Sequence, residues 1–303
     1  MGPPGSGCGV AAGSAGAHCG KGDQEHERTP APMTPACPET RVTGPGTAVM
    51  LQPMPSPLHH LVQGSGPTVV LLHAGVADLR MWDAQAAALA TSHRVVRCDL
   101  RGFGQSPLPP GTSYSDAEDV LALLDELGIG EFALVGASHG GGVALQVASA
   151  APDRVTRLVL LAAAAGVAEK TDAIRAVWAE EERLLTAADV DGATELMVRT
   201  WLGPDADESA RELVRDMQRR AYDLQLAAGD DVDNRNLDID PERLTMPVTV
   251  AFGAHDVDFF GDIARELARL VPAAHLIELG WAGHLPALER PEETTELLRA
   301  ALT

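Results

Sequence analysis

Cysteine is scarce in this chain, and so are basic residues. Its 303 residues hold four cysteines, Cys8, Cys19, Cys37 and Cys98, with no CxxC pair among them. Three lie in a Gly/Pro-rich head and the fourth in an apolar run, so neither a structural zinc site nor a disulfide framework is expected. Lys and Arg number 23 against 43 Asp and Glu, for a formal net charge of −20. That balance repels polyanions, and neither nucleic acid nor a membrane is an expected partner. A long apolar run is missing too. The longest, "LVLLAAAAGVA" from Leu158 to Ala168, is far short of the ~20 residues a spanning helix needs. The N-terminal stretch shows no basic region followed by an apolar one, so no secretory signal is visible and a cytoplasmic location is the expectation.

What is present suffices for one large or two modest domains, and a hydrophobic content of 45% is typical of a globular protein. Residues 1–46 are dense in Gly, Pro and Ala and poor in large apolar side chains. Such a segment buries too little to offset its ordering entropy, and it is expected to be disordered. His18 and His26 beside the early cysteines do not alter that expectation.

From Leu58 onward the pattern changes. After "LHHLVQGSGP", which reads as a strand and turn, come short aliphatic runs at 68–73, 93–100, 131–137, 155–163, 247–254 and 274–280. Helical patterns separate most of them, such as "DAEDVLALLDEL" with apolar positions three and four apart. Near-continuous apolar strands alternating with helices predict an α/β fold, a doubly wound and mostly parallel sheet covered on both faces. One interval breaks the alternation: about eighty residues before "PVTVAFGA" contain helical stretches and no clear strand. This is too long for an ordinary connection and reads as an inserted helical cap. The expected organisation is core at 47–165, cap at 166–240 and core again at 241–303.

The stretch "LVGASHGGGVALQVA" surrounds Ser138 with glycine. Ser138 follows an apolar run and precedes a helical one, which predicts a tight strand-to-helix turn. In such a turn the positions two before and two after the centre approach closely, which accounts for Gly136 and Gly140. The result is an exposed hydroxyl near a helix N-terminus, where developing negative charge is favoured.

A serine hydroxyl needs a base, and the base needs an orienting carboxylate. Asp256 stands just past the run at 247–254 and His284 just past the run at 274–280. Both positions fall at the strand edge where catalytic groups gather in parallel sheets. Asp258 is the fallback acid. Stabilising an oxyanion requires backbone donors, and the loop in "LLHAGVADLRMWD" supplies them: Gly75 N–H is the expected first donor, with Val76 as the alternative, and His139 N–H the second. Of the other histidines, His255 shares the turn with Asp256, while His59, His60, His93 and His275 are assigned structural positions.

With these residues assembled, the chain from about Leu58 to Thr303 resembles the α/β-hydrolase superfamily, in its serine-nucleophile branch. The resemblance rests on "VVLLHAG", "CDLRGFGQSPLP", "LVGASHGGGVAL", "AFGAHD" and "WAGHLPALERPEE", in the family's order. It implies Ser138 as nucleophile, Asp256 as acid, His284 as base, and Gly75 with His139 as the oxyanion hole. It also implies that Asp99, Arg101 and Ser106 belong to a supporting loop. Epoxide hydrolases and haloalkane dehalogenases of this fold carry aspartate where this chain has Ser138. The loop "HAGVADLRMWDAQ" is similar to that of 3-oxoadipate enol-lactonases and related esterases, except that their usual His-Gly is His73-Ala74 here.

The expected activity is therefore hydrolysis of a small carboxylic ester or lactone through an acyl-enzyme. That chemistry calls for no cofactor and no metal. The alternatives on the same triad are a carbon–carbon bond hydrolase or a haloperoxidase-like perhydrolase. Outside hydrolases they are a lyase, an acyltransferase or a low-turnover ligand receptor. Val76, Trp178 and Trp201 are candidates to touch substrate, and Met197, Met217 and Tyr222 share the cap with the two tryptophans. A carboxylate-bearing lactone would need a cationic anchor, for which Arg80 and Arg101 are nearest in sequence.

Overall fold

The computed structural model describes residues 56–303. The expectations for residues 1–46, with Cys8, His18, Cys19, His26 and Cys37, lie outside the described residues. The strands are β1 (His60–Gln63), β2 (Thr68–Leu72), β3 (Arg94–Cys98), β4 (Ser113–Tyr114), β5 (Phe132–Ala137), β6 (Val155–Leu161), β7 (Asp233–Asn234), β8 (Val248–Gly253) and β9 (Ala274–Leu279). The helices are α1 (Asp83–Leu89), α2 (Asp116–Glu126), α3 (His139–Ala150), α4 (Asp172–Thr186), α5 (Val190–Trp201), α6 (Glu208–Ala228), α7 (Asp258–Leu270), α8 (Pro286–Glu289) and α9 (Pro291–Leu302).

Seven strands form one sheet in the order β1-β3-β2-β5-β6-β8-β9, with β1 antiparallel to β3 and every other pair parallel. The register sets Val70 beside Leu134, Leu134 beside Leu158 and Leu160 beside Val250. Every residue of β5 is buried, as a strand covered on both faces requires. The α1 helix packs on α9 and α2 on α3, while α3 and α9 both lie against β6. At the edge, β9 is mostly exposed or half-buried, with only Leu279 buried, because one flank meets water.

Local chemistry explains the boundaries. Ser115 caps α2 by accepting the Glu118 N–H, and Asp116, Glu118 and Asp119 in its first turn complement the helix dipole. The run expected to be helical around "DLRMWDAQAAALATS" divides into a 3₁₀ turn at Leu79–Trp82 and a short α1. Asp78 starts that turn by accepting the Arg80 N–H.

The chain makes α4, α5 and α6 in passing from β6 to β8, two neighbours in the sheet. Thr171, Asp189 and Asp207 cap their N-termini. This interval does hold one strand that periodicity missed. The two residues of β7 pair in parallel with β4, Tyr114 opposite Asn234, and two residues are too few to show alternation. No helix among the described residues is long and apolar enough to cross a membrane.

Candidate active site

Ser138 joins β5 to α3 with φ 50° and ψ −115°, a backbone conformation that residues with a side chain seldom adopt. Its neighbours make room for it. A Cβ at Gly136 would strike the Gly140 carbonyl, and one at Gly140 would strike the backbone of Leu72 and His73. Hydrogen bonds pin the turn: Ser138 N–H donates to Leu161 O at 2.9 Å, and Ser138 O accepts from Ala164 N–H at 2.9 Å. The Ser138 hydroxyl caps no amide of α3.

Asp256 follows β8 and His284 follows β9, so both stand at the same C-terminal sheet edge as Ser138. They meet directly: His284 Nδ1 lies 2.7 Å from Asp256 Oδ2, with the two side chains only 3% and 1% exposed. A carboxylate can only accept, so Nδ1 carries a proton, and in the neutral ring Nε2 is left as the acceptor. Asp256 Oδ1 takes the Val257 N–H at 2.7 Å. The fallback acid is engaged elsewhere, since Asp258 Oδ1 accepts the Thr171 hydroxyl at 2.6 Å.

The loop after β2 is tied down by a side chain whose part the sequence did not reveal. His73 is fully buried; its Nδ1 donates to Ala74 O at 2.8 Å and its Nε2 accepts the Leu100 N–H at 2.9 Å. Burial lowers its pKa, in keeping with this neutral, two-sided role. The neighbouring Gly75 and Val76 amides, like that of His139, have no hydrogen-bond partner among the described residues. Gly75 lies against His139, where an added Cβ would sit 3.4 Å from the His139 Cβ.

Aromatic rings enclose His284. Phe260 and Trp201 place their centroids 4.2 and 4.6 Å from that of His284. Trp201 O also accepts the His284 N–H at 3.2 Å. Trp201 is thus buried against His284, while Trp178 stands edge-on to Phe259 with the Lys170 ammonium over its ring. Val76 is nearly buried.

Asp99 and Ser106 build the supporting loop. Asp99 accepts the Leu79 and Gln105 amides at 2.8 Å each, and Ser106 Oγ donates to Asp99 O at 2.7 Å. The two arginines considered as anchors are both engaged by carboxylates. Arg80 grips Asp78 through Nε and Nη2 and reaches Asp216 through Nη1, and Arg101 pairs with Asp119.

Glu289 was not singled out from the sequence. It is 6% exposed and accepts the Gly283 N–H at 2.7 Å and the Leu285 N–H at 3.0 Å, one on each side of His284. Burial raises its pKa against the pull of these amides and of the Gly203 N–H. The only sequence signal was an acid set among apolar neighbours in "HLPALERPEE".

The sheet order and the serine turn at its edge define an architecture of the α/β-hydrolase type. A family model described as alpha/beta hydrolase fold matches residues 67–291, and the chain belongs to that family. It is 32% identical over 250 residues to the dihydrolipoyllysine-residue acetyltransferase component of the acetoin cleaving system of Pseudomonas putida, covering 78% of this chain. The chain spans 64% of that relative's length. Among solved structures it is similar to a thermophilic esterase from Thermogutta terrifontis, with a TM-score of 0.69 and 29% identity over 81% of this chain and 92% of that one. It is also similar to the enol-lactonase from Burkholderia xenovorans LB400, with a TM-score of 0.67 and 27% identity over 81% and 96% of the two chains.

Proposed function

We infer that this α/β-hydrolase is a serine hydrolase of small carboxylic esters or lactones, working through an acyl-enzyme. His284 Nε2 takes the proton of Ser138 as Oγ attacks the carbonyl carbon, and Asp256 stabilises the imidazolium that forms. The carbonyl oxygen becomes an oxyanion, received by the His139 N–H and by that of Gly75, with Val76 as the alternative. Collapse expels the alcohol, which takes its proton from His284. A water then attacks the ester to Ser138 with His284 again as base, and the acid leaves. The residues at 166–240 serve as a cap over this edge, and Val76, Trp178 and Trp201 shape the acyl side.

The observation that carries this reading is the strained Ser138 on the edge that also holds the His284–Asp256 pair at 2.7 Å. The esterase and enol-lactonase among its structural relatives support an ester or lactone as the bond cleaved. The carboxylates on Arg80 and Arg101 favour a substrate without a free carboxylate.

The test is fluorophosphonate labelling of the full chain with a screen of short esters and lactones. Ser138 is expected to take the label, and Ser138→Ala to lower kcat by about 10⁴-fold or more. Retention of activity in Ser138→Ala overturns the assignment.

A further inference from the structure

The residue after the nucleophile carries a side chain that the mechanism above leaves unused. His139 Nε2 lies 3.1 Å from Asp116 Oδ2, and that same oxygen accepts the Asn234 Nδ2 at 2.9 Å. The Asp116 side chain is 5% exposed, and its Oδ1 is buried with no hydrogen-bond partner. The His139 side chain, by contrast, is 24% exposed, and its Nδ1 has no partner among the described residues. Its Cβ lies against Gly75, and its ring centroid is 6.0 Å from that of Phe103. Ser138 is therefore adjoined by a second imidazole–carboxylate pair beside the two amides assigned to the oxyanion.

Chemistry fixes how this pair is arranged. The carboxylate only accepts, so His139 Nε2 carries a proton, and in the neutral ring Nδ1 is an acceptor. The Asn234 amide fills a further lone pair of Asp116 and holds the carboxylate in place. A pair that merely braced the fold would be expected to be sealed and fully satisfied. Here a buried carboxylate oxygen goes without a partner while the imidazole stands at an accessible boundary. That combination suits a group kept ready for a ligand.

We propose that His139 is a substrate-selecting residue whose Nδ1 accepts a hydrogen bond from an O–H or N–H on the acyl part of the substrate, close to the scissile carbonyl. The favoured class is uncharged hydroxy- or amido-substituted esters and lactones. Asp116 and Asn234 are positioning residues, acting through the imidazole. The inference rests on the serine-hydrolase reading and deepens it. No new bond-making step is involved, because the imidazole selects by binding a donor that a plain acyl chain lacks. A site built to pair with a donor discriminates more strongly than one that only excludes bulk.

The experiment compares kcat/KM for matched probes, α-hydroxy-γ-butyrolactone against γ-butyrolactone and phenyl 3-hydroxybutanoate against phenyl butanoate. The native chain is expected to prefer the hydroxylated member of at least one pair by about tenfold or more. His139→Met is expected to bring that ratio close to one, His139→Gln to restore part of it, and Asp116→Asn to lower it at least threefold by releasing the ring. These are ratios within one variant, so a general loss of activity does not imitate them. If His139→Met does not fold, His139→Gln and Asp116→Asn carry the test. A native ratio within twofold of one for both pairs, or an unchanged ratio in the variants, overturns the proposal. Fluorophosphonate labelling separates the two failures: a native chain unlabelled at Ser138 removes the underlying hydrolase reading, and this proposal with it.

Discussion

Glu289 holds His284 from below by its backbone, accepting the amides of Gly283 and Leu285 on either side of it. The imidazole is thus fixed at two levels, by Asp256 on its ring and by Glu289 on its chain. Gly203, two residues after Trp201, lies so close to this carboxylate that an added Cβ would strike Glu289 Oε2, and the Trp201 ring and carbonyl both touch His284. One buried anion therefore joins the end of α5 to the histidine loop.

Removing that anion strands buried donors. Glu289→Ala is expected to destabilise the protein by about 2–4 kcal/mol, since each buried unpaired amide costs roughly 1–3 kcal/mol. Its kcat should fall alongside, because His284 loses its support. Glu289→Gln keeps an acceptor and should lose less on both counts. Urea unfolding with parallel kinetics measures this, and a loss under about 0.5 kcal/mol in the alanine variant counts against the clamp.

The turn at Ser138 stores strain. Residues held in sparsely populated backbone regions cost about 1–3 kcal/mol. Glycine adopts φ 50° freely, so Ser138→Gly should abolish hydrolysis and raise stability by about 1 kcal/mol. A thermal melt of the inactive variant decides it. An unchanged or lower melting temperature would mean that the turn is not strained.

A second titrating acid sits away from the site. Burial pushes the Glu181 carboxyl up to about 7, although the Tyr222 hydroxyl donates to it at 2.6 Å and pulls the other way. Its folded value lies above its unfolded one. Its stabilising contribution is thus fully present below about pH 4.5 and lost as pH rises through about 7. The loss is on the order of 3 kcal/mol, and Glu289, raised in the same direction, adds to it. Unfolding free energy measured from pH 5 to 8 should fall more steeply in the native chain than in Glu181→Gln. Identical slopes would remove Glu181 from the account.

Charge on the substrate should matter. Arg80 and Arg101 already hold carboxylates, so a substrate bearing its own carboxylate finds neither of them free. A neutral lactone or ester is expected to exceed its carboxylate-bearing counterpart in kcat/KM by at least tenfold. Equal rates for the two would show that another cation, such as Lys170 over Trp178, receives the charge.

Several features were legible in the chain because they are local. The continuous apolar runs predicted buried parallel strands, and β5, β6 and β8 occupy them. "GASHG" predicted a tight strand-to-helix turn, because two small residues flanking a third announce a backbone that admits no Cβ. The positions of Asp256 and His284 just past their strands followed from the alternation of elements.

What tertiary structure decided were pairings across long separations. Nothing in the composition joins Asp116 to His139 and Asn234, since the first contact needs α2 packed on α3 and the second needs β4 beside β7. Trp201 was a candidate substrate contact in the cap, and only the path of α5 shows that its ring also lies against His284. Glu289 has little to distinguish it along the chain, and its part appears only when the loop folds two amides onto it. Backbone sterics and hydrophobic periodicity act within a few residues and can be read along the chain. Hydrogen bonds between distant polar groups depend on where the sheet and its loops bring them, and that is settled only in three dimensions.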